Sequence, residues 1–158
     1  MPEHQCSTRG RIPGMAKLDH IAEPLRKLAV PTDSITLDPA NARTHSPKNL
    51  AAIKASLTRF GQRLPIVVQR EGMVVRAGNG RVMAARELGW THIAAVVCDD
   101  ENIDAVAFAI ADNRSAELAD WDDAALAALL DELPAETVAD LGFDDDDLAA
   151  LAGDDAEV

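Results

Sequence analysis

The sequence predicts a mixed α+β fold in the order β-α-β-β-α-β, with a mixed sheet and further helices after this core. Three observations support this prediction. Short runs rich in Val and Ile are bounded by turn residues, as is typical of strands. Between them lie longer segments in which apolar residues recur at helical spacing. Apolar residues make up 47% of the 158 residues, a fraction that excludes wholesale disorder.

The N-terminal part of the chain has little periodicity. We expect residues 1–32 to form a loosely structured leader with one short helical piece at residues 21–28, because prolines and glycines interrupt any regular pattern. The first strand is expected at residues 34–37. A turn follows at residues 38–43, since Pro39 fixes its own φ and the Asp and Asn side chains bond nearby backbone.

Strong local signals mark the next elements. Ser46 and Pro47 provide a capping hydroxyl followed by a proline suited to the first helical position. The helix that they begin is expected to end at Gly61. Residues 65–68 and 73–75 then predict two strands that are joined by a hairpin turn.

The second half of the predicted core begins at residues 78–81, a loop that leads from a strand into a helix ending at Gly89. Residues 93–98 are almost wholly apolar, which predicts a central strand. Two helices are expected next, at residues 102–112 and 123–133. Their inward-facing residues are expected to be Ile103, Val106, Ala107, Ile110, Leu126, Leu129, Leu130 and Leu133.

Charge divides the chain into two unlike parts. Residues 1–100 contain 14 Lys or Arg and 9 Asp or Glu, whereas residues 101–158 contain one basic residue, Arg114, and 18 acidic residues. Such asymmetry is typical of an interaction tail or a nucleic-acid contact. We expect a domain at residues 33–133 and an acidic helix or tail at residues 134–158. Two isolated cysteines and the lack of a long apolar run favour a cytoplasmic protein without a membrane span.

The loop at residues 78–81 is the clearest candidate for a binding site. Glycines allow a ligand to approach the backbone closely, and the free amides of a helix N-terminus attract an anion such as phosphate. Arginines nearby would add bidentate contacts. The residues expected to bind a nucleotide or its phosphates are Gly78, Asn79, Gly80, Arg81, Arg43 and Arg76. An equally simple interpretation is that the two glycines only form a tight turn, because short glycine motifs are weak signals.

A second constellation, Asp112-Asn113-Arg114, lies at the end of a predicted helix. Carboxylate and amide oxygens suit Mg²⁺, which makes Asp112 and Asn113 candidate metal ligands. The alternative is an ordinary capped helix end. Arg63 and Arg114 are further candidates for contacts to DNA or phosphate.

Taken together, these segments resemble the N-terminal domain of ParB, in the ParB/sulfiredoxin superfamily. The resemblance covers residues 34–122, and the segments that carry it are residues 37–43, 60–61, 64–68, 75–85 and 110–114. Their order and spacing are jointly far more specific than any one segment. The type that this chain resembles most is the ParB-like domain of phages, mobile elements and DNA-methyltransferase-associated proteins.

The resemblance implies a nucleotide site, because partition proteins carry a Gly-Glu-Arg-Arg motif where this chain has Gly78 to Arg81. Asn79 and Gly80 replace the glutamate and the first arginine. The resemblance therefore supports binding of a triphosphate, CTP or ATP with Mg²⁺, more than it supports CTP hydrolysis. Sulfiredoxins have a catalytic cysteine in this loop, and Asn79 stands there instead, which excludes their chemistry.

Three functions follow as hypotheses. The first is a nucleotide-binding accessory domain that acts in partition, modification or processing of phage or mobile-element DNA. The second is a DNA nuclease or NTPase of the same fold, with Asp38 and Asp112 as the candidate catalytic residues. The third is an acidic protein-interaction module without nucleotide turnover. Candidate partners are a nucleotide, DNA reached directly or through another protein, a methyltransferase or phage DNA-processing enzyme, and a second copy of the chain.

Overall fold

The computed structural model describes residues 17–153, and a four-stranded mixed sheet lies at their centre. The strands are β1 (Ala29–Pro31), β2 (Ile66–Gln69), β3 (Val74–Ala77) and β4 (His92–Cys98). Across the sheet their order is β1-β4-β2-β3. β4 is antiparallel to β1 and parallel to β2, whereas β2 and β3 form an antiparallel hairpin. The predicted α+β class with a mixed sheet and a central fourth strand is confirmed.

Six α-helices are found within residues 17–153: α1 (Pro47–Phe60), α2 (Asn79–Glu87), α3 (Asn102–Glu117), α4 (Asp123–Asp131), α5 (Ala135–Asp140) and α6 (Asp145–Gly153). α1 has the predicted ends, because the Ser46 hydroxyl accepts a hydrogen bond from the Asn49 amide at 3.1 Å and Gly61 follows its last residue. The predicted helical piece at residues 21–28 is a 3-10 helix, Glu23–Leu28. None of the helices described is both long enough and apolar enough to cross a membrane.

The main hydrophobic core, called the sheet core below, lies between the sheet and α2. Its buried members are Ile35, Ile66, Val68, Val75, Val82, Ala85, Ile93 and Ala95. α1 packs on α2, so the N-terminal part of α1 lies beside the loop that leads into α2. This arrangement places the predicted binding loop next to the predicted turn at residues 38–43.

The first strand differs from the prediction. The strand is Ala29–Pro31 at the edge of the sheet, whereas residues 34–37 contribute only a bridge from Thr36 to Val74. A three-residue strand that ends in proline gives almost no periodic signal, and edge positions tolerate proline because they need fewer donors.

The expected leader is also part of the fold where it is described. Ile21 is fully buried and bridges to Gln62, and β1 pairs with β4. The described residues 17–32 therefore contribute to the sheet and its packing. The rest of the expected leader, residues 1–16, lies outside the described residues.

The inward face predicted for α3 is wrong. Ile103 and Ile110 are 77% and 61% exposed, Ala107 is exposed and Val106 is half-buried, whereas Ala105 is the buried residue. α3 packs mainly on β3. Periodicity identified the helix but gave no information on which face meets the sheet.

The later helices form a second, smaller cluster, called the helical cluster below. Leu126, Leu130 and Val138 are its buried members, with Phe143, Leu148 and Leu151 packed against them. Leu129 and Leu133 were expected inside, but they are 61% and 39% exposed. α5 begins directly after Pro134, inside the acidic segment expected as a helix or tail at residues 134–158.

Candidate functional site

A cleft of about 960 Å³ lies between α1, the loop after β3 and α3. This volume is near the upper end of the ~300–1,000 Å³ that is usual for ligand pockets. Most of the predicted site residues line the cleft, namely Arg43, Arg63, Arg76, Gly78, Asn79, Gly80, Arg81, Asp112 and Asn113. Asp38 and Arg114 are not among the lining residues. The fold thus joins segments that are far apart in sequence.

The N-terminus of α2 opens on this cleft. Its N-cap residue, Gly78, has left-handed backbone angles (φ 102°, ψ 26°), and no side chain of residues 17–153 caps the helix. The amide of Val82 bonds to the Gly78 carbonyl at 3.1 Å. The amides of residues 79–81 precede this bond and have no acceptor within the helix, so they form a partial positive charge at the cleft.

The two loop glycines differ in how strongly their surroundings demand them. A Cβ on Gly78 would lie 2.6 Å from Ile66 Cγ2, and its positive φ is strained for other residues. A Cβ on Gly80 would lie 2.7 Å from Cε1 of His45. The tight-turn interpretation is therefore sufficient for Gly78, whereas Gly80 lets the start of α2 approach a cleft-lining histidine.

Asn79 fastens the loop to the turn at residues 38–43. Its Oδ1 accepts a hydrogen bond from the Asp38 amide at 3.0 Å, and the residue is 9% exposed. The side chain therefore holds the two segments together. A ligand would meet its backbone amide rather than its side chain.

Arg76 is held by protein groups. Nη1 donates to Asp38 Oδ2 at 2.9 Å, Nη2 donates to Asn102 Oδ1 at 3.0 Å, and Nε and Nη2 donate to Gln69 Oε1 at 3.0 and 2.6 Å. The side chains of Arg76 and Asp38 are 8% and 7% exposed. The expected phosphate ligand Arg76 and the expected catalytic residue Asp38 thus form a buried ion pair at the base of the site.

Three other cleft arginines lack such a partner. Within residues 17–153, no ion pair to a carboxylate involves Arg43, Arg63 or Arg81. The described residues offer the Arg81 guanidinium one acceptor, the Pro65 carbonyl oxygen at 3.1 Å from Nη1. Burial lowers the pKa of Arg81, and the Asp112 carboxylate acts in the opposite direction. A partly desolvated guanidinium that makes no direct ion pair within residues 17–153 favours an incoming anion.

The other two arginines lie on either side of the cleft. Arg43 Nη1 donates to Asn113 Oδ1 at 3.3 Å, which connects the turn at residues 38–43 to α3. Arg63 donates to the Phe60 carbonyl at 3.3 Å, and its guanidinium lies 5.2 Å from the centre of the Phe60 ring. The cleft is therefore basic, in contrast to the net charge of −12 of the whole chain.

The proposed Mg²⁺ ligands face the cleft from α3. Asp112 is exposed and lines the cleft, and Asn113 contacts Arg43. No group of three or more His, Cys, Asp or Glu residues able to hold a metal ion occurs in the described part of the chain. The residues present fit an ion that takes one or two protein oxygens and completes its shell with phosphates and water.

Arg114 points away from this set. Its Nη1 lies 3.4 Å from Glu117 Oε2, in an exposed pair one helical turn apart. Successive helical residues differ by about 100° in direction, so Arg114 does not share the cleft-facing direction of the adjacent Asn113. The structure therefore separates Arg114 from the other predicted phosphate contacts.

Sequence reasoning missed the contribution of the segment before α1. His45 and Asn49 line the cleft, and His45 Nδ1 lies 2.7 Å from Asn49 Oδ1. The only sequence signal was their position beside Ser46 and Pro47, which mark the capped start of α1. Gln69 and Asn102, which hold Arg76, gave no signal at all.

These features define an α+β domain with a basic cleft at a helix N-terminus. The model of the ParB N-terminal domain family matches residues 19–114. The chain belongs to the ParB N-terminal domain family. A relative, the ParB-like nuclease domain-containing protein YnaK of Escherichia coli (strain K12), is 32% identical over 77 residues, which cover 49% of this chain and 87% of YnaK.

One solved structure in particular supports the fold. C-terminally truncated chromosome-partitioning protein ParB from Caulobacter crescentus, complexed with CTP-γ-S, matches with a TM-score of 0.65 at 20% identity. The match covers 78% of this chain and 74% of that chain. A second structure of truncated Caulobacter crescentus ParB, complexed to the centromeric parS site, matches with a TM-score of 0.47 at 18% identity, covering 78% and 68% of the two chains.

Proposed function

We propose that this chain binds a nucleoside triphosphate, with CTP as the first candidate and ATP as the second, and serves as a ParB-like accessory domain in DNA metabolism. One observation carries the proposal. The start of α2, which has no side-chain cap, and three arginines that pair with no carboxylate in the described part of the chain converge on one cleft. The CTP-γ-S bound by the Caulobacter protein supports the choice of nucleotide.

Each part of the cleft has a proposed task. The amides of residues 79–81 hold phosphate oxygens, and Arg81 and Arg43 neutralise their charge from two sides. Asp112 would hold Mg²⁺ together with the phosphates, and Mg²⁺ would supply charge neutralisation. Arg76 and Asp38 position the loop and the turn without touching the nucleotide. The functional unit is the proposed domain at residues 33–133 together with β1, followed by the proposed acidic segment at residues 134–158.

A thermal-shift panel tests the binding. CTP, ATP and GTP are added with and without Mg²⁺, and the melting temperature is recorded. A ligand at about 100 times its Kd stabilises the folded state by about 2.7 kcal/mol, which corresponds to a shift of ~5–10 °C for a chain of this size. We expect CTP to give the largest shift.

Matched variants locate the effect. Arg81→Ala and Arg43→Ala should abolish the shift, because each removes a cleft cation without a carboxylate partner. Arg70→Ala is the control, since Arg70 is exposed, pairs with Asp99 and does not line the cleft. An equal shift in wild-type protein and both cleft variants would exclude this cleft as the site.

Turnover is the second candidate for the same site. The relative YnaK is named for a ParB-like nuclease domain, and Asp112 is an exposed carboxylate beside Arg81. Mg²⁺-dependent nicking of plasmid DNA or release of phosphate should then occur and be lost in Asp112→Asn. Asp104→Asn is the control because Asp104 lies on α3 outside the cleft. If the protein binds a nucleotide but produces neither nicked DNA nor free phosphate, the turnover hypothesis is wrong and only the accessory-domain function stands.

The proposed cellular role depends on a partner protein and on a cytoplasmic location. The resemblance to phage, mobile-element and methyltransferase-associated domains suggests that a methyltransferase or DNA-processing enzyme brings the domain to DNA in the cytoplasm. The cleft itself is the basic surface through which DNA or nucleotide would bind. A gel-shift series at rising salt would separate direct DNA binding, which weakens steeply with salt, from recruitment by another protein.

A further inference from the structure

His45 is a half-buried side chain of the cleft to which the proposed function gives no role. It directly precedes Ser46, the N-cap of α1, and its ring lies against the start of α2. A Cβ on Gly80 would lie 2.7 Å from Cε1 and 3.0 Å from Nδ1 of this ring. Gly80 thus lets an imidazole lie beside the helix N-terminus that is proposed to hold phosphate.

The two ring nitrogens of His45 differ in their contacts. Nδ1 lies 2.7 Å from Oδ1 of Asn49, and an amide oxygen only accepts, so Nδ1 carries the proton and donates. The neutral ring then leaves Nε2 without a proton, and no hydrogen bond within residues 17–153 involves Nε2. The contact with Asn49 therefore fixes the tautomer in which Nε2 can take up a proton and donate to an anion.

Positive charge predominates around His45. Arg76 is compensated by Asp38. Lys48, on α1 itself, is held by two carboxylates of the segment that begins α6. The other charged residues that line the cleft with His45 are three cations and one carboxylate, namely Arg43, Arg63, Arg81 and Asp112. A polyphosphate that enters this cleft adds several negative charges beside the ring and favours its charged form.

We propose that His45 is a further phosphate-binding residue of the cleft and that it binds a nucleoside triphosphate as the imidazolium, so that binding takes up as much as one proton from solvent at Nε2. This role rests on the proposed nucleotide site. An imidazole ordinarily changes charge between pH 5 and 8. Because the bound state prefers the protonated ring, nucleotide affinity increases as the pH falls from 8 to 6. The competing interpretation is that His45 only supports the start of α1 through Asn49.

Titration calorimetry of the full chain tests the coupling, with CTP and ATP as probes, each with Mg²⁺. Binding is measured at pH 7 in two buffers that differ in their enthalpy of ionisation, because the difference between the observed enthalpies gives the number of protons taken up. A terminal phosphate itself titrates near about pH 6. Each result is therefore compared with His45→Gln, which removes the charge and keeps a polar side chain of similar length.

Wild-type protein should take up more protons per nucleotide than His45→Gln. Between pH 8 and pH 6, the affinity of the wild-type protein should increase about threefold or more beyond any increase in the variant. His92→Gln is the matched control, because His92 is half-buried in β4 and does not line the cleft. This control should behave as the wild-type protein does. Circular dichroism confirms that each variant is folded.

The outcomes separate this role from the nucleotide site itself. Equal proton uptake and equal pH dependence in wild-type protein and His45→Gln would overturn the role of His45 while the nucleotide site stands. A lower melting temperature of free His45→Gln, with unchanged proton uptake on binding, would show that His45 only supports α1. Absence of binding at every pH would contradict the nucleotide site and the role of His45 together.

Discussion

The sheet core and the helical cluster are built from similar aliphatic residues but bury them to different extents. Ile66, Val68, Val75, Val82 and Ile93 are completely buried, whereas the three buried members of the helical cluster remain 7–8% exposed. Charge also differs, because arginines that pair with no carboxylate among the described residues line the cleft, whereas acidic residues dominate after position 100. The more deeply buried part of the chain thus forms the basic cleft, whereas the less buried, acidic part presents outer surface.

The largest expected difference concerns ion pairs. Asp38→Ala leaves Arg76 charged and buried without its carboxylate, which should lower the free energy of unfolding by about 3–5 kcal/mol. Asp140→Ala removes the exposed contact to Arg59 in the helical cluster (3.1 Å) and should cost about 0.5 kcal/mol. Urea unfolding followed by circular dichroism measures both. Similar costs for the two variants would show that Asp38 and Arg76 are not buried as described.

Cavity-forming substitutions should give a smaller contrast. Ile66→Ala removes a fully buried side chain from the sheet core, so we expect a loss of about 3 kcal/mol. Leu130→Ala should cost about 2 kcal/mol, because its neighbours are partly exposed and can move to fill the space. The same urea unfolding experiment measures the loss of unfolding free energy in each variant. A larger loss for Leu130→Ala would reverse the assignment of the better-packed region.

Acid should give the smallest effect, confined to the contact between α1 and α6. Lys48 Nζ lies 2.5 Å from Asp144 Oδ2 and 2.8 Å from Asp147 Oδ2. The hydrogen bond from Lys48 lowers the pKa of Asp144 from 3.8 to about 2. Because the folded-state pKa is the lower one, this contact stabilises the fold fully above about pH 4, and the stabilisation is lost as pH falls towards 2.

An NMR pH titration of the Asp144 carboxyl carbon checks this shift. In Lys48→Ala the midpoint should return towards 3.8, the ordinary value. Glu87→Ala removes a different exposed partner, that of Lys54, and should leave the Asp144 midpoint unchanged. A wild-type midpoint near 4 would show that Lys48 does not hold Asp144.

Local signals predicted much of the fold. The capped start at Ser46 and Pro47, the hairpin between β2 and β3, and the loop into α2 were all correct because each depends on residues close in sequence. β1 escaped prediction because a three-residue edge strand has no period. The exposed face of α3 escaped because helical spacing alone does not reveal which side the sheet covers.

Gly78 to Arg81, Arg43 and Asp112 line one cleft, although they lie far apart in sequence. Their role in binding a nucleotide stays a prediction. The role of Arg76 was not predictable, since its acceptors Asp38, Gln69 and Asn102 come from three separate segments. A guanidinium near a glycine loop looks the same in sequence whether it meets phosphate or a buried carboxylate.

The most direct test of the central claim is an amide NMR titration with CTP and Mg²⁺. We expect the largest chemical-shift changes at the amides of residues 79–81, with smaller changes at Arg43 and Asn113 and none in α6. Arg81→Ala should remove them. Changes confined to the helical cluster, or no changes at millimolar CTP, ATP and GTP, would contradict a nucleotide site at the start of α2.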